Sequence, residues 1–458
     1  MPRPTTYRRA APDAPRRAAY DCLRAVAERD SYANLMLPGL LRDREINGRD
    51  AAFATELTYG TLRGLGTYDV VLAACSDRGL DAIDPEVRDL LRLGAHQLLG
   101  GMRVPPHAAV AATVELARAV VGQGRGGFVN AVLRKVSAHS LDEWIAELAP
   151  SIDADPVRHL SIAHSHPEWI VRAYADALGP DWDEVGRALA AGNERPVTHY
   201  VARPGGIERD ELAREVDGTP GPWSPFAVIA PGGNPADLPA IRSARAGVQD
   251  EGSQLVAIAA SAIAIEGRDE RWLDLCAGPG GKAALLAALA RGRGARLTAV
   301  ELAAHRAVLV RKNIRNEYDA TVVQADGTKP AWREGGFDRV LVDVPCSGLG
   351  ALRRRPEARW RKQPGDLAGL RPLQAALLDS AVAAVRPGGA VLYATCSPHI
   401  AETRGIVAAG LRRNPQLESI DVRAVLPAMP QLGEGPTVQL WPHRHGTDAM
   451  FLAAFIAH

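Results

Sequence analysis

LDLCAGPGGK, at residues 273–282, predicts the end of a β-strand, a glycine-rich turn and the first turn of a helix. Glycines in such a turn let the backbone approach a ligand closely, and the N-terminus of the helix offers free N–H groups. A phosphate-binding P-loop is excluded, because it needs glycine in place of Cys276 and serine or threonine in place of Ala283. A dinucleotide-binding turn is disfavoured, because the glycines at 278, 280 and 281 lack the Gly-x-Gly-x-x-Gly spacing. The motif therefore predicts an α/β domain with a ligand at this turn.

Acidic residues at the ends of the next two predicted strands suit a nucleoside. Glu301 ends the run Leu297–Glu301, and its carboxylate is a paired acceptor for two adjacent ribose hydroxyls. Asp326 follows the run Thr321–Gln324 and can accept a hydrogen bond from an adenine amino group. A glycine-rich turn alone is common in α/β proteins. The turn and two acids at three successive strand ends favour the cofactor site of an S-adenosylmethionine-dependent methyltransferase.

Hydrophobic periodicity divides the chain into four segments. Residues 1–15 form a basic tail that we predict to be disordered. Residues 16–140 show helical patterns, with a clear one that begins at Asp84-Pro85-Glu86 and further ones at roughly 33–44, 50–63, 107–121 and 127–137. Residues 141–250 combine linker helices with a small α/β module. Residues 251–458 alternate short apolar runs with helical stretches, which predicts a doubly wound, Rossmann-like domain. A late pair of runs, Val438–Trp441 and Met450–Ile456, is expected to close that sheet at its edge.

Charge and cysteine content exclude several protein classes. Lys and Arg total 54 and Asp and Glu total 53, so the near-neutral chain is not a histone-like basic protein. It contains no run of about 18 apolar residues, which excludes a transmembrane helix of the usual kind. Its five cysteines include no Cys-x-x-Cys pair, so neither a disulfide framework nor a metal site is predicted. We expect a cytoplasmic protein; the sequence leaves its oligomeric state open, with a monomer as the working expectation.

Two cysteines follow two predicted strands in similar tripeptides. Cys346 lies in Pro-Cys-Ser after Val340–Asp343, and Cys396 lies in Thr-Cys-Ser after Val391–Thr395. Both positions are at the carboxyl ends of strands, where a doubly wound domain binds its ligands. A thiolate that adds to carbon 6 of a pyrimidine makes carbon 5 nucleophilic, and a nearby carboxyl group can stabilise the charge that forms on the ring. The pair therefore favours methylation of a pyrimidine at carbon 5 over simple core packing.

Five motifs together resemble the Sun-type (Sun/Fmu) RNA cytosine-5 methyltransferases, most closely the group that acts on bacterial small-subunit rRNA. They are LDLCAGPGGK, the acid of TAVEL at 298–302, QADGTK at 324–329, DVPCSG at 343–348 and YATCS at 393–397. Residues 16–140 resemble the RNA-binding antitermination factor NusB. The resemblance covers nearly the whole chain. It implies a helical NusB-like domain, a small α/β module and a class I S-adenosylmethionine-dependent methyltransferase domain, with 16S rRNA as the expected partner.

The resemblance also implies roles for individual residues. Cys396 would be the nucleophile, Cys346 would assist product release, and Asp343 would contact the cytosine edge. The implied cofactor contacts are Cys276, Ala277, Gly278, Pro279, Gly280, Gly281, Lys282, Glu301, Asp326 and Asp343. Two small departures are Ala283, where threonine is common in the family, and Glu301, where aspartate is common.

A basic segment directly follows the Pro-Cys turn. We expect it to hold phosphates and stack a base, although a charged run is more often a solvated surface. The expected RNA contacts are Arg353, Arg354, Arg355, Arg359, Trp360, Arg361 and Lys362. Three alternatives stay open at this point: the same chemistry on tRNA or another RNA, a non-catalytic RNA-binding assembly factor, and a dehydrogenase, which the glycine spacing disfavours.

Overall fold

A computed structural model describes residues 13–29, 31–329 and 332–458. The chain forms two units. The helical unit comprises the described part of Met1–Arg172 together with Asp181–Asn193 and Leu352–Arg361. The sheet unit comprises Ala173–Pro180, Glu194–Ala351 and Lys362–His458. Most of the predicted tail, residues 1–12, lies outside the described residues, and the first helix begins at Ala14.

Helices make up the first part of the chain, as its periodicity predicts. They are α1 (Ala14–Arg29), α2 (Ala33–Asp43), α3 (Gly48–Arg63), α4 (Leu65–Cys75), α5 (Pro85–Leu99), α6 (Pro106–Val120), α7 (Gly126–Val136), α8 (Leu141–Leu148), α9 (Pro156–His164), α10 (Glu168–Leu178) and α11 (Trp182–Ala191). The apolar stripe of α1, which includes Cys22, is buried in a core shared with α3 and α5. Cys22 is fully buried and is therefore a core residue.

A small antiparallel sheet precedes the main sheet of the sheet unit. Its elements are β1 (Thr198–Ala202), α12 (Arg209–Glu215), β2 (Thr219–Pro220), β3 (Ala227–Ala230), α13 (Pro239–Arg242) and β4 (Ala246–Val248). The strand order is β2-β3-β1-β4. The short runs Thr198–Ala202 and Phe226–Ile229 predict β1 and β3, which are mostly buried. It does not predict β2 and β4, because two or three residues are too few for a period to appear.

The main sheet carries the candidate site. Its elements are α14 (Glu251–Ala262), β5 (Arg271–Asp274), α15 (Gly281–Arg291), β6 (Arg296–Glu301), α16 (Ala304–Asn313), β7 (Ala320–Gln324), β8 (Phe337–Asp343), α17 (Ala358–Arg361, in the helical unit), α18 (Asp366–Ala384), β9 (Val385–Thr395), α19 (Arg404–Arg413), β10 (Leu417–Ile420), β11 (Val438–Gln439), α20 (Pro442–His445) and β12 (Phe451–Ala457). The order is β10-β12-β9-β8-β5-β6-β7, and β11 pairs with β12. Strands β5 to β9 are mutually parallel, so their carboxyl ends share one edge.

The C-terminal strand corrects one expectation. We expected Met450–Ile456 to close the sheet at its edge, but β12 lies between β9 and β10 and is antiparallel to both. Its residues are almost all buried, because the neighbouring strands and covering layers leave neither face open to solvent. The edge strand on this side of the sheet is β10, which the sequence does not predict. Within the described residues, no helix has the length and apolar character that crossing a membrane requires.

Candidate active site

The glycine-rich turn joins β5 to α15. Gly280 has a φ of 114°, a left-handed conformation that favours glycine, and a Cβ there would lie 2.9 Å from the Cα of Val310. A Cβ at Gly278 would overlap Glu301 Oε2. Gly280 is required because its backbone passes very close to that of α16, and at Gly278 the Glu301 carboxylate fills the space of a Cβ. The turn therefore has the tight course that brings backbone N–H groups near a ligand.

Two acids lie beside this turn at the ends of β6 and β7. Glu301 is 6% exposed, and its carboxylate accepts hydrogen bonds from the N–H groups of Gly278 (3.0 Å) and Ala303 (2.9 Å). Asp326 accepts hydrogen bonds from the Thr328 hydroxyl and N–H at 2.7 and 3.0 Å, and these bonds lower its pKa. Both carboxylates are thus held in fixed orientations. A rigid acceptor at each strand end suits the ribose and adenine of a nucleoside.

A lysine and two aspartates form a group of charged side chains near the glycine-rich turn. Lys282 Nζ lies 2.9 Å from Asp343 Oδ2. Burial alone would lower the pKa of Lys282, but the charge of Asp343 and the hydrogen bond to it raise that pKa. Burial, assisted by the charge of Asp343, raises the pKa of Asp274 to about 7. Oδ2 of Asp274 is buried and has no hydrogen-bond partner in the part of the chain that the structure describes.

The two cysteines of the paired tripeptides meet at this edge. Cys346 Sγ and Cys396 Sγ are 3.4 Å apart, within hydrogen-bond distance for sulfur. The hydrogen bond from Cys396 lowers the pKa of Cys346, and the same bond, together with burial, raises the pKa of Cys396. The charge of Lys282 acts on Cys396 in the opposite direction and favours its thiolate. The two thiols therefore titrate as a coupled pair, and once one proton has left, the sulfurs share the other.

The third cysteine of this region behaves differently. Burial raises the pKa of Cys276 well above its ordinary value, and the charges of Asp274 and Asp343 raise it further. Its side chain packs against the apolar cluster that contains Val342 and Leu377. We therefore assign Cys276 a packing role in the turn and do not consider it a nucleophile.

Family models match two segments of the chain. The model for 16S rRNA methyltransferase RsmB/F matches residues 262–456, and the NusB family model matches residues 13–138. The chain is 55% identical to a putative methyltransferase of Mycobacterium tuberculosis, over 99% of this chain and 98% of that protein. It is 31% identical to the probable ribosomal RNA small subunit methyltransferase B of Bacillus subtilis, over 95% of this chain and 97% of that protein. The chain belongs to the RsmB/F family.

Solved structures support the fold of this RsmB/F family member. The crystal structure of PH0851 matches with a TM-score of 0.78 at 21% identity, covering 98% of this chain and 99% of that one. NSun6 from Pyrococcus horikoshii, solved with SFG, matches with a TM-score of 0.54 at 17% identity, covering 64% of this chain and 98% of that one. The predicted fold class, a NusB-like helical domain and a Rossmann-like methyltransferase domain, is confirmed. The cofactor of the RsmB/F family is S-adenosylmethionine, and the tight turn with its two fixed acids fits that group.

Part of the basic segment is buried in this RsmB/F protein. Arg359 is fully buried in the helical unit, where its guanidinium donates to Asn193 Oδ1 at 2.7 Å and to the Ser165 carbonyl at 3.0 Å. Arg361 donates to two further carbonyls at 2.6 Å, and Arg353 is buried. A planar guanidinium group can satisfy several carbonyls at once, which explains why arginines are used here.

The expected RNA contacts are therefore revised. Arg353 and Arg359 are not retained as RNA contacts, because they are buried. Arg361 is half-buried and is not retained because its guanidinium already donates to two backbone carbonyls. The ring of Trp360 lies so close to Gly66 that a Cβ there would overlap it, so we also assign Trp360 to packing within the helical unit. Arg354, Arg355 and Lys362 are partly or fully exposed and remain candidates.

Sequence reasoning missed the polar side chains that support the two cysteines. Glu402 lies beyond Cys396 in a short helical turn and is fully buried, with the serines that follow each cysteine among its partners. The only sequence signal was serine in the same place after both cysteines. As for metals, the described residues include no group of His, Cys, Asp and Glu side chains that could hold an ion.

Proposed function

We propose that this RsmB/F protein methylates carbon 5 of cytosine in 16S rRNA through a transient bond between Cys396 Sγ and carbon 6 of the base. One observation carries the proposal: two sulfur atoms lie 3.4 Å apart, just beyond the carboxyl ends of the neighbouring parallel strands β8 and β9. Methylation of a nitrogen or oxygen, which carry lone pairs, would require neither thiol. Carbon 5 of cytosine requires a nucleophile to activate the ring and a second group to complete the reaction.

The residues divide the reaction between them. Cys396, as the thiolate, forms a bond to carbon 6 and shifts an electron pair toward carbon 5 and ring nitrogen 3. Asp343, which pairs with Lys282 in the free protein, would bind the polar edge of the base and, in its protonated form, would donate a hydrogen bond to ring nitrogen 3 that stabilises this charge. Bound S-adenosylmethionine supplies the electrophilic methyl group that carbon 5 receives. The proton on carbon 5 then leaves to a base, the electron pair returns to the ring, and the bond between carbon 6 and Cys396 breaks.

Cys346 is the group that we assign to release. The hydrogen bond between the two sulfurs lowers the pKa of Cys346 and raises that of Cys396, so Cys346 can take the proton of Cys396 and leave Cys396 as the attacking thiolate. When Cys396 is bonded to carbon 6, that hydrogen bond is lost, and Cys346 is left beside the adduct as a proton carrier. Two adjacent thiols can thus perform successive roles without any rearrangement of the strands that hold them.

The substrate assignment rests on the family and on the chemistry of the site. A relative from Bacillus subtilis is named as a probable ribosomal RNA small subunit methyltransferase B. In this chain, a NusB family segment precedes the methyltransferase segment. A thiol can reach carbon 6 only when the base has left its stack, so a loop or another unpaired segment of rRNA is the expected target.

Methyl transfer from labelled S-adenosylmethionine to purified 16S rRNA tests the proposal, with nucleosides analysed by mass spectrometry. We expect label in 5-methylcytidine. Label in 16S rRNA at another atom would overturn the cytosine chemistry, and transfer to tRNA alone would overturn the substrate. Intact cofactor binding with no transfer to any RNA would overturn the catalytic role in favour of an RNA-binding assembly factor.

A further inference from the structure

The carboxylate of Glu402 is the centre of a buried hydrogen-bond network. Its Oε1 accepts from the Ser347 N–H at 2.8 Å and from Gln374 Nε2 at 3.0 Å. Its Oε2 accepts from the hydroxyls of Ser347 at 2.5 Å and Ser397 at 2.7 Å. The Tyr393 hydroxyl donates to the backbone carbonyl of Glu402 at 2.7 Å. Four bonds to the carboxylate compensate for burying it completely.

This network joins the two cysteine turns. Ser347 follows Cys346, and Ser397 follows Cys396, so one carboxylate binds the neighbour of each reactive sulfur. The two serine hydroxyls also lie 3.2 Å from each other. Since β8 and β9 end here, the pairing of these strands no longer fixes the separation of the residues beyond them. Glu402 supplies a fixed link at the point where the strand pairing stops.

The two sulfurs depend on this link to different degrees. Cys396 directly follows β9, whose last residue, Thr395, is paired with Phe451 of β12. Its own carbonyl also accepts from the Gly350 N–H at 2.9 Å. Cys346 lies in a segment without regular secondary structure, and its neighbours on both sides are held by this network. The Pro345 carbonyl accepts from Gln374 Nε2 at 2.9 Å, and Ser347 binds Glu402. Loss of the carboxylate should therefore displace Cys346 more than Cys396.

We propose that Glu402 is a positioning residue that holds Cys346 beside the nucleophile for the release step. This inference rests on the proposed function. Glu402 does not touch the reacting atoms in this arrangement; it acts through Ser347 and Gln374. Its removal should leave formation of the Cys396–carbon 6 bond largely intact and slow the breaking of that bond. Enzyme covalently bound to RNA should then accumulate, which general destabilisation of the fold would not produce.

Glu402→Ala, Glu402→Gln and Ser347→Ala test the inference in the full chain, with 16S rRNA and S-adenosylmethionine. We expect turnover of Glu402→Ala to fall by roughly tenfold to a thousandfold, the effect of losing several charge-assisted hydrogen bonds at a positioned group. The RNA adduct that survives a denaturing gel should increase at the same time. Glu402→Gln keeps one acceptor oxygen and should restore part of the turnover. Ser347→Ala removes one hydroxyl and should show a smaller increase in adduct even if Glu402→Ala does not fold.

Glu251→Ala is the matched control. Glu251 is also a buried acid of the sheet unit, 1% exposed, and accepts hydrogen bonds from the N–H groups of Trp223 and Ser224 at 2.7 Å. Its loss should lower the thermal unfolding temperature without adduct accumulation. Equal adduct in this control, or lost turnover without adduct in all three test variants, would overturn the inference. If the wild-type chain transfers no methyl group, the proposed function itself fails; if it does and the test variants match it, only the role of Glu402 fails.

Discussion

The sulfur atoms of Cys346 and Cys396 lie 3.4 Å apart, although the two residues are separated by 50 positions in the chain. They meet because β8 and β9 are parallel neighbours in register, with Asp343 opposite Ala394, so that both strands end at the same height. If the two neighbouring thiols have different functions, removing one should have a different effect from removing the other. Single substitutions therefore separate the roles that we assign to them.

Cys396→Ala should abolish methyl transfer to RNA, because no other sulfur in the proposed reaction bonds to carbon 6. Affinity for S-adenosylmethionine should stay within about twofold of wild type, since the nucleophile is not among the expected cofactor contacts. Label transfer and calorimetric titration measure the two quantities. Substantial turnover in this variant would contradict the nucleophile assignment.

Cys346→Ala should give the opposite pattern. The bond between Cys396 and the base can form, but its breakage is slowed, so a protein–RNA complex should persist on a denaturing gel. Ribonuclease treatment of the same sample should collapse the shifted band and confirm that it contains RNA. A variant indistinguishable from wild type in turnover and adduct would show that Cys346 has no part in release.

Glu301→Gln should weaken S-adenosylmethionine binding by about tenfold to a hundredfold, the usual effect of replacing a charged hydrogen-bond acceptor by a neutral one. The carboxylate already accepts from two backbone N–H groups and would also accept from the ribose hydroxyls. Calorimetric titration gives the dissociation constant. The control is Glu317→Gln, whose carboxylate pairs with Arg315 and lies outside the expected cofactor contacts. Equal dissociation constants for both variants would remove Glu301 from the cofactor site.

Asp274→Asn should change how stability depends on pH. Asp274 has a pKa of about 7 in the folded chain and an ordinary value of 3.8, mainly because it is buried. Between these values the unfolded chain releases a proton that the folded chain retains, so the free energy of unfolding falls as the pH rises. This loss of unfolding free energy, the penalty for burying Asp274, reaches at most about 4 kcal/mol above pH 7 and is absent below about pH 4.

The asparagine variant lacks this penalty because its side chain does not ionise. Denaturant unfolding of the cofactor-free chain at pH 5 and pH 8 tests the expectation. The variant should gain stability relative to wild type as the pH increases between the two measurements. A constant difference would show that Asp274 does not titrate in this range.

Arg359→Ala should destabilise the helical unit by roughly 2–4 kcal/mol, because several buried carbonyl groups lose their donor. Thermal unfolding followed by circular dichroism measures the loss. Lys362→Ala removes a partly exposed positive charge and should change stability by less than about 0.5 kcal/mol. Wild-type stability combined with lost RNA affinity in Arg359→Ala would restore the original interpretation of this residue as an RNA contact.

The sequence by itself determined the features that depend only on residues close together along the chain. The parallel strands, the glycine-rich turn and the two cysteines at strand ends were predictable because side-chain periodicity and turn chemistry are local properties. The family motifs also predicted the identity of the cofactor, and membership of the RsmB/F family confirmed the fold class.

Only the tertiary structure decided which of the remaining polar residues face solvent and which support the interior. A run of arginines has the same local pattern whether it lies on a surface or, like Arg359, donates to carbonyls from distant segments. Glu402 gains its partners from three separate parts of the chain, and β12 occupies an internal position because of the strands that flank it. Burial depends on which segments meet in space, and no local pattern contains that information.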